Sequence, residues 1–146
     1  MTDADRALAR RAAACEHWKW RAGMRVVISY AEATASARIV SARLDGIACA
    51  DERGLRYGWH HLGAGPAQER CLPDLADAAT MGCLLALVRE AWPGWRVTVE
   101  WGGEPSDPEY GWVAVCYDDR TGEVRTLGPD GGTETDALVA ALEAAP

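Results

Sequence analysis

Thiols, imidazoles and clustered carboxylates are the side chains of this 146-residue chain whose chemistry could reach beyond packing. Cys15-Glu16-His17, the His60-His61 pair, Cys49 and Cys71 offer the soft and imidazole ligands that zinc takes. None has the two-to-four-residue cysteine spacing of a structural knuckle, so ordinary surface and core roles are expected and no metal. Cys71 and His61 could act as nucleophile and base only by meeting in space, and nothing local marks a nucleophile. Glu104, Asp107 and Glu109 could face a cation, but the stretch lacks the ligand order and central glycine of a calcium loop. A solvated hairpin loop is the expectation there. No catalytic, cofactor-binding or metal-ligating residue is assigned, no cofactor is expected, and the chain is read as a non-enzyme.

The elements that would hold these residues are clearest from 72 to 146, which read as an αβββα unit. Asp77 is a good helix N-cap, and Pro93 disfavours helical geometry at Trp92, which closes that helix. The run Met81 to Val88 carries no charge, so this helix is expected to be central, with Leu84 and Leu85 in the core and cover on more than one side. Trp95, Val97, Val99 and Trp101 alternate with Arg96, Thr98 and Glu100, the period of a half-buried strand. After a loop from Gly102 to Pro108, Trp112 to Tyr117 is apolar on both faces and reads as the middle strand of three. A turn at Asp118 to Gly122, with the glycine at positive φ, leads into a third strand from Glu123 to Leu127. Thr133 and Asp136 approximate a capping box, and Leu138, Val139 and Leu142 make the buried stripe of a closing helix.

Residues 1–71 read as an alanine-rich helix from Asp3 to Glu16 followed by a small β-meander. Its strands are expected at Met24 to Tyr30, Ala37 to Leu44, Ile47 to Ala50 and Leu55 to Trp59. Leu62 to Pro73, with two Gly and two Pro, reads as a linker. The fold class is therefore α+β, antiparallel sheet with helices packed on it. Residues 1–146 are taken as a single compact domain of two halves, 1–71 and 72–146. A faint echo between Trp20 to Val26 and Trp92 to Val97 is too short to establish a duplication.

Charge is unevenly placed. Residues 100–146 hold eleven acids against Arg120 and Arg125, whereas residues 1–99 hold eleven acids and thirteen bases. A net charge of -7 opposes binding to a nucleic-acid backbone, which is held by Lys and Arg. The acidic end instead suits a protein with a basic surface. Seven tryptophans and no phenylalanine are present, and tryptophan is enriched at interfaces as well as in cores. The candidate partner-binding residues are Glu100, Trp101, Glu104, Asp107, Glu109, Trp112, Asp118, Asp119 and Glu123, in a monomer or homodimer. No apolar run approaches the ~20 residues of a membrane span, and Asp3 and Asp5 do not fit a secretion signal. Five cysteines, an odd number without dense spacing, fit a reducing cytoplasm.

Three stretches, Cys15 to Arg25, Leu72 to Trp92 and Ala137 to Pro146, together resemble a group of small uncharacterised phage and prophage proteins. The αβββα order is also similar to phage sandwich-type domains. The resemblance implies a viral or prophage origin and supplies no catalytic residues; joined to the cysteine usage, it makes the host cytoplasm the expected location. By analogy with small phage accessory proteins it points to a non-enzymatic inhibitor or modulator of a host protein, of the anti-CRISPR or other anti-defence kind. A structural role in the virion or in replication is the alternative. The excess of Arg over Lys, fourteen to one, fits a high-GC host.

Overall fold

The computed structural model describes residues 1–29, 34–43, 46–51, 56–61, 71–103, 111–129 and 132–146. The fold is α+β, with antiparallel sheets and helices as the alternation of the sequence requires. The chain falls into two compact units, Met1–Ala14 with Lys19–Cys83, and Cys15–Trp18 with Leu84–Pro146. The division lies inside a helix, downstream of the 71/72 division read from sequence. Among the described residues no helix is long and apolar enough to cross a membrane.

In the first unit, α1 (Asp3–Ala14) opens with a reciprocal cap. The Asp5 N–H donates to Thr2 Oγ1 at 3.1 Å and the Thr2 N–H donates to Asp5 Oδ2 at 2.7 Å. This pairing, the backbone bond first and the hydroxyl second, holds the Asp5 carboxyl below its usual range. The helix buries small side chains, Ala9, Ala12 and Ala13. Among the described residues five strands follow: β1 (Arg25–Ser29), β2 (Thr34–Arg43), β3 (Gly46–Ala50), β4 (Arg56–His61) and β5 (Cys71–Pro73). Their order is β4-β3-β2-β1-β5, a four-strand meander whose fifth strand returns to β1. Val26, Ile28, Ala37, Ile39, Ile47 and Cys49 form the buried face.

β5 corrects the linker reading. Cys71, Leu72 and Pro73 are all buried and pair with Ile28, Val27 and Val26. Pro73 looked like a loop signal, but proline is tolerated on an edge strand, where one side of the backbone has no ladder to complete.

α2 (Ala78–Ala91) begins after Asp77 as expected, and it carries the unit boundary between Cys83 and Leu84. Asp77 Oδ2 accepts from the Thr80 N–H at 3.0 Å and from its hydroxyl at 3.1 Å, while Oδ1 accepts from Arg38 Nη2 at 3.0 Å. Thr80 is wholly buried and its Oγ1 accepts the Arg25 N–H at 2.7 Å, tying the helix start to β1. The expectation of cover on more than one side needs correcting. Thr80, Leu84, Leu87 and Val88 are fully buried at helical spacing, but Ala78, Ala79, Gly82, Arg89 and Glu90 are exposed and Leu85 is half-buried. Alanine and glycine count as apolar yet offer little area to remove from water, so an uncharged run need not be buried all round.

In the second unit, β6 (Trp95–Gly102), β7 (Gly111–Asp118) and β8 (Val124–Leu127) form an antiparallel meander with β7 in the middle. Gly122 has φ +74° in the turn before β8, the positive value anticipated there. α3 (Glu134–Glu143) starts in a full capping box between Thr133 and Asp136 and packs chiefly on β7. It buries Ala137, Leu138, Val139, Ala141 and Leu142.

The C-terminal carbonyls of α3, which a helix cannot satisfy internally, find other donors. The last i→i−4 bond runs from the Ala144 N–H to Ala140 O at 3.0 Å, and the unmet carbonyls lie beyond it. The indole N–H of fully buried Trp92 donates to Ala141 O at 2.8 Å, and Cys15 Sγ lies 3.4 Å from Leu142 O. The chain from 15 to 18 thus enters this unit by capping its last helix.

Candidate partner-binding surface

Register decides which of the candidate residues can act together. Residues paired across an antiparallel ladder share a face, so Trp95, Val97, Val99 and Trp101 lie on one face with Asp118, Cys116, Ala114 and Trp112. Arg96, Thr98 and Glu100 lie on the other with Tyr117, Val115 and Val113. Glu100 and Trp101 are therefore neighbours in sequence on opposite faces. Both are exposed, Trp101 by 44%. Trp112, half-buried, sits opposite Trp101 with the rings edge to face, 6.0 Å between centroids at 89°.

The acids fall at two ends of the sheet. Glu100 faces Val113 near the β6–β7 connection, whereas Asp118 faces Trp95 at the other end. Glu123 does not bridge them, and the strand expected to begin there starts one residue later. Glu123 precedes β8, and its carbonyl accepts the Asp118 N–H at 2.9 Å, which places it in the Asp118 group. From Trp95 to Glu100 is five residues, about 17 Å of strand. That is roughly twice the screening length of about 8 Å at physiological ionic strength, so the two groups act as separate charges. Glu104, Asp107 and Glu109 lie outside the described residues.

Each described acid already has a local partner. Asp118 Oδ1 accepts the N–H of Arg120 at 2.9 Å and of Thr121 at 3.2 Å. Hydrogen bonds, from the Thr121 side chain first and the Arg120 backbone second, keep its carboxyl below the ordinary range. Asp119 lies 3.7 Å from Arg96 Nη2, Glu123 Oε1 accepts from Arg125 Nε at 2.8 Å, and Glu100 accepts the Thr98 hydroxyl at 2.8 Å. Arg125 also lies over the rings of Trp92 and Trp95, 5.6 and 5.1 Å from their centroids. Arg96 was not legible as the partner of Asp119, because sequence distance hides that the two meet across a hairpin.

Cys49, Cys71 and Cys116 are buried thiols. Burial pushes the Cys49 thiol up to about 11, with the neighbouring Cys71 adding to the effect, and burial raises Cys71 and Cys116 as well. A thiol held protonated at neutral pH is a poor nucleophile and a poor metal ligand. His17 Nε2 is 3.6 Å from the Glu16 carboxylate. His60 and His61 belong to β4, paired with Ile47 and Gly46, and their side chains lie outside the described residues. Among the described residues no three His, Cys, Asp or Glu side chains gather as a metal site.

Sequence reading missed one further feature, a depression of about 530 Å³ in the first unit, lined in part by Gly23, Arg25, Ser36, Arg38, Val40 and Asp51. Its cations are committed to structure. Arg38 bonds Asp77 and donates to Gly23 O at 2.6 Å, and Arg25 Nε lies 3.6 Å from Asp74. Alternating exposed positions on β2 were the available signal, but the lining joins segments far apart in the chain.

Comparison of the chain with protein-family models, curated proteins and solved structures gives no match.

Proposed function

We propose that this is a non-enzymatic accessory protein of phage or prophage origin that occupies a host protein bearing a basic surface, in the manner of an anti-CRISPR or other anti-defence inhibitor. The observation that carries the reading is the segregation of charge. The second unit holds thirteen acids against four bases, and the first holds nine against eleven. The motifs at Cys15 to Arg25, Leu72 to Trp92 and Ala137 to Pro146 support the origin, and the host cytoplasm is the place such a partner would be met.

The local pairing of each acid bears on how such binding would work. A basic partner must compete with Arg96, Arg120 and Arg125 at the Asp118 end, and exposed pairs contribute only about 0.2 to 1 kcal/mol each. Charge would then govern the rate of encounter, and the half-open Trp101 would supply the anchoring contact. Trp112 backs it from the same face.

The test begins with capture of the partner from host lysate, followed by association rates against that partner over a salt series. Two double variants are compared with the wild type: Asp118→Lys with Asp119→Lys, and Glu104→Lys with Glu109→Lys. Each should slow association, and the logarithmic effects should add when the pairs are combined, because the two ends are screened from one another. Trp101→Ala should raise the dissociation rate instead. Equal association rates for all proteins at every salt concentration would remove the acidic-surface reading and leave this charge as a solubilising coat.

A further inference from the structure

The outer edge of β6 carries a pattern that the acidic surface does not explain. Backbone groups alternate sides along a strand. The Asp118 N–H is used toward Glu123, on the β8 side, so Tyr117, Val115 and Val113 direct their N–H and C=O groups at β6. Their register partners Arg96, Thr98 and Glu100 answer them. The N–H and C=O groups of Val97, Val99 and Trp101 therefore point away from the sheet. Among the described residues no backbone bond outside the ladder reaches these three.

Read about Thr98, the strand Trp95-Arg96-Val97-Thr98-Val99-Glu100-Trp101 is a palindrome in residue type, except that Arg96 is mirrored by Glu100. We propose that β6 pairs antiparallel with β6 of a second copy of this chain, about a two-fold axis at Thr98, joining the two meanders into one continuous sheet. The axis sets Trp95 opposite the second copy's Trp101, Arg96 opposite Glu100, Val97 opposite Val99, and Thr98 opposite itself. Aromatic, opposite-charge and Thr–Thr cross-strand pairs are each favourable, and a two-fold axis makes every off-axis pair occur twice.

The backbone parity agrees with this register. Val97 and Val99, whose polar groups point outward, face one another and form the ladder bonds. Arg96 and Glu100 then fall at the closely spaced positions between those bonds, where side chains approach most nearly. Moving the register by two residues keeps the faces but sets Arg96 or Glu100 against Thr98, and moving it by one exchanges the faces. Only the register centred on Thr98 uses both charges.

Existing contacts hold Arg96 only loosely, at the surface: its guanidinium lies over the ring of its cross-strand neighbour Tyr117, 4.8 Å from the centroid. Its ion pair with Asp119 spans 3.7 Å with side chains 62% and 71% exposed, a geometry of little worth. The opposite edge offers no such match. β8 has four residues, Val124-Arg125-Thr126-Leu127, and the two-fold registers open to it set Arg125 against itself or against Leu127. The proposal goes beyond the host-protein reading and does not depend on it.

Sedimentation equilibrium over a concentration series measures the association, with the wild type expected to form a dimer. Arg96→Glu and Glu100→Arg each create two like-charge pairs across the axis and should weaken the dimer roughly tenfold or more. An equimolar mixture of these two variants should regain it, because every facing pair is then of opposite sign. Val99→Pro removes an outward N–H without touching the β6–β7 ladder and should abolish association. The proposal is overturned by a wild type that stays monomeric throughout, which would leave the edge to a strand of another protein. A dimer that neither charge variant weakens, or a mixture that fails to recover it, overturns it as well.

Discussion

Replacing Trp92 with phenylalanine should destabilise the second unit by about 2 to 4 kcal/mol, for reasons that can be separated. The indole N–H is the donor to Ala141 O at 2.8 Å, in a buried bond at the end of α3. Phenylalanine leaves that carbonyl without its donor, at a cost of about 1 to 3 kcal/mol. Shrinking indole to phenyl also opens roughly 40 Å³ at a fully buried site, worth about 1 kcal/mol at ~24 cal/mol per Å³. The contact with Arg125 contributes little to the difference, since that guanidinium stays over Trp95 at 5.1 Å. A urea titration followed by far-ultraviolet circular dichroism reads the change without relying on tryptophan emission. Cys15→Ala is the comparator. It removes a weaker donor, 3.4 Å from the adjacent Leu142 carbonyl, and should cost less than about 1 kcal/mol. If Trp92→Phe falls within about 0.5 kcal/mol of the wild type, or costs less than Cys15→Ala, the helix end is not held as described.

Leu84→Ala should cost about 2 to 5 kcal/mol and Leu85→Ala clearly less, because only Leu84 is fully buried; equal shifts in denaturation midpoint would contradict this. Asp77 adds a pH dependence. Burial raises its carboxyl, but the bonds from Arg38 and Thr80 outweigh that and hold it below the usual range. Its stabilisation is therefore complete above the unfolded value of about 3.9 and is lost as pH falls through the lower folded value. The stability difference between wild type and Asp77→Asn, read from urea midpoints, should shrink on acidification below about pH 4, and a difference that grows there would refute the assignment.

The second unit was legible because its signals are local. Alternation from Trp95 to Trp101 gives β6, the Asp118 to Gly122 turn gives the positive φ of Gly122, and Thr133 with Asp136 gives the capping box, each within a few residues. Apart from Glu123, where the strand boundary was placed one residue early, the misreadings involve partners distant in the chain. A strand of three residues such as β5 has no period to detect, and only its pairing with β1 makes Cys71–Pro73 a strand. The same holds for Leu85, whose half-exposure depends on where the helix faces rather than on its own hydrophobicity. Of the candidate surface, the placement of Glu100 and Trp101 on β6 could be read directly. The pairing of Asp119 with Arg96 could not, because it crosses the sheet.

The face assignment of Glu100 and Trp101 constrains any partner. A ligand lying flat on either face of the sheet meets one of them and not the other, since consecutive side chains on a strand point to opposite sides. An approach along the free edge of β6 meets both, together with the outward backbone of Val97 and Val99. Exposed charge supplies too little energy to hold a partner by itself, whereas a strand laid on this edge adds main-chain hydrogen bonds and covers Trp101. A host-protein ligand and a second copy of the chain would then compete for the same edge. If both bind there, raising the protein concentration should lower the apparent affinity for the partner, and Val99→Pro should weaken both associations. An affinity independent of concentration would assign the two to different surfaces.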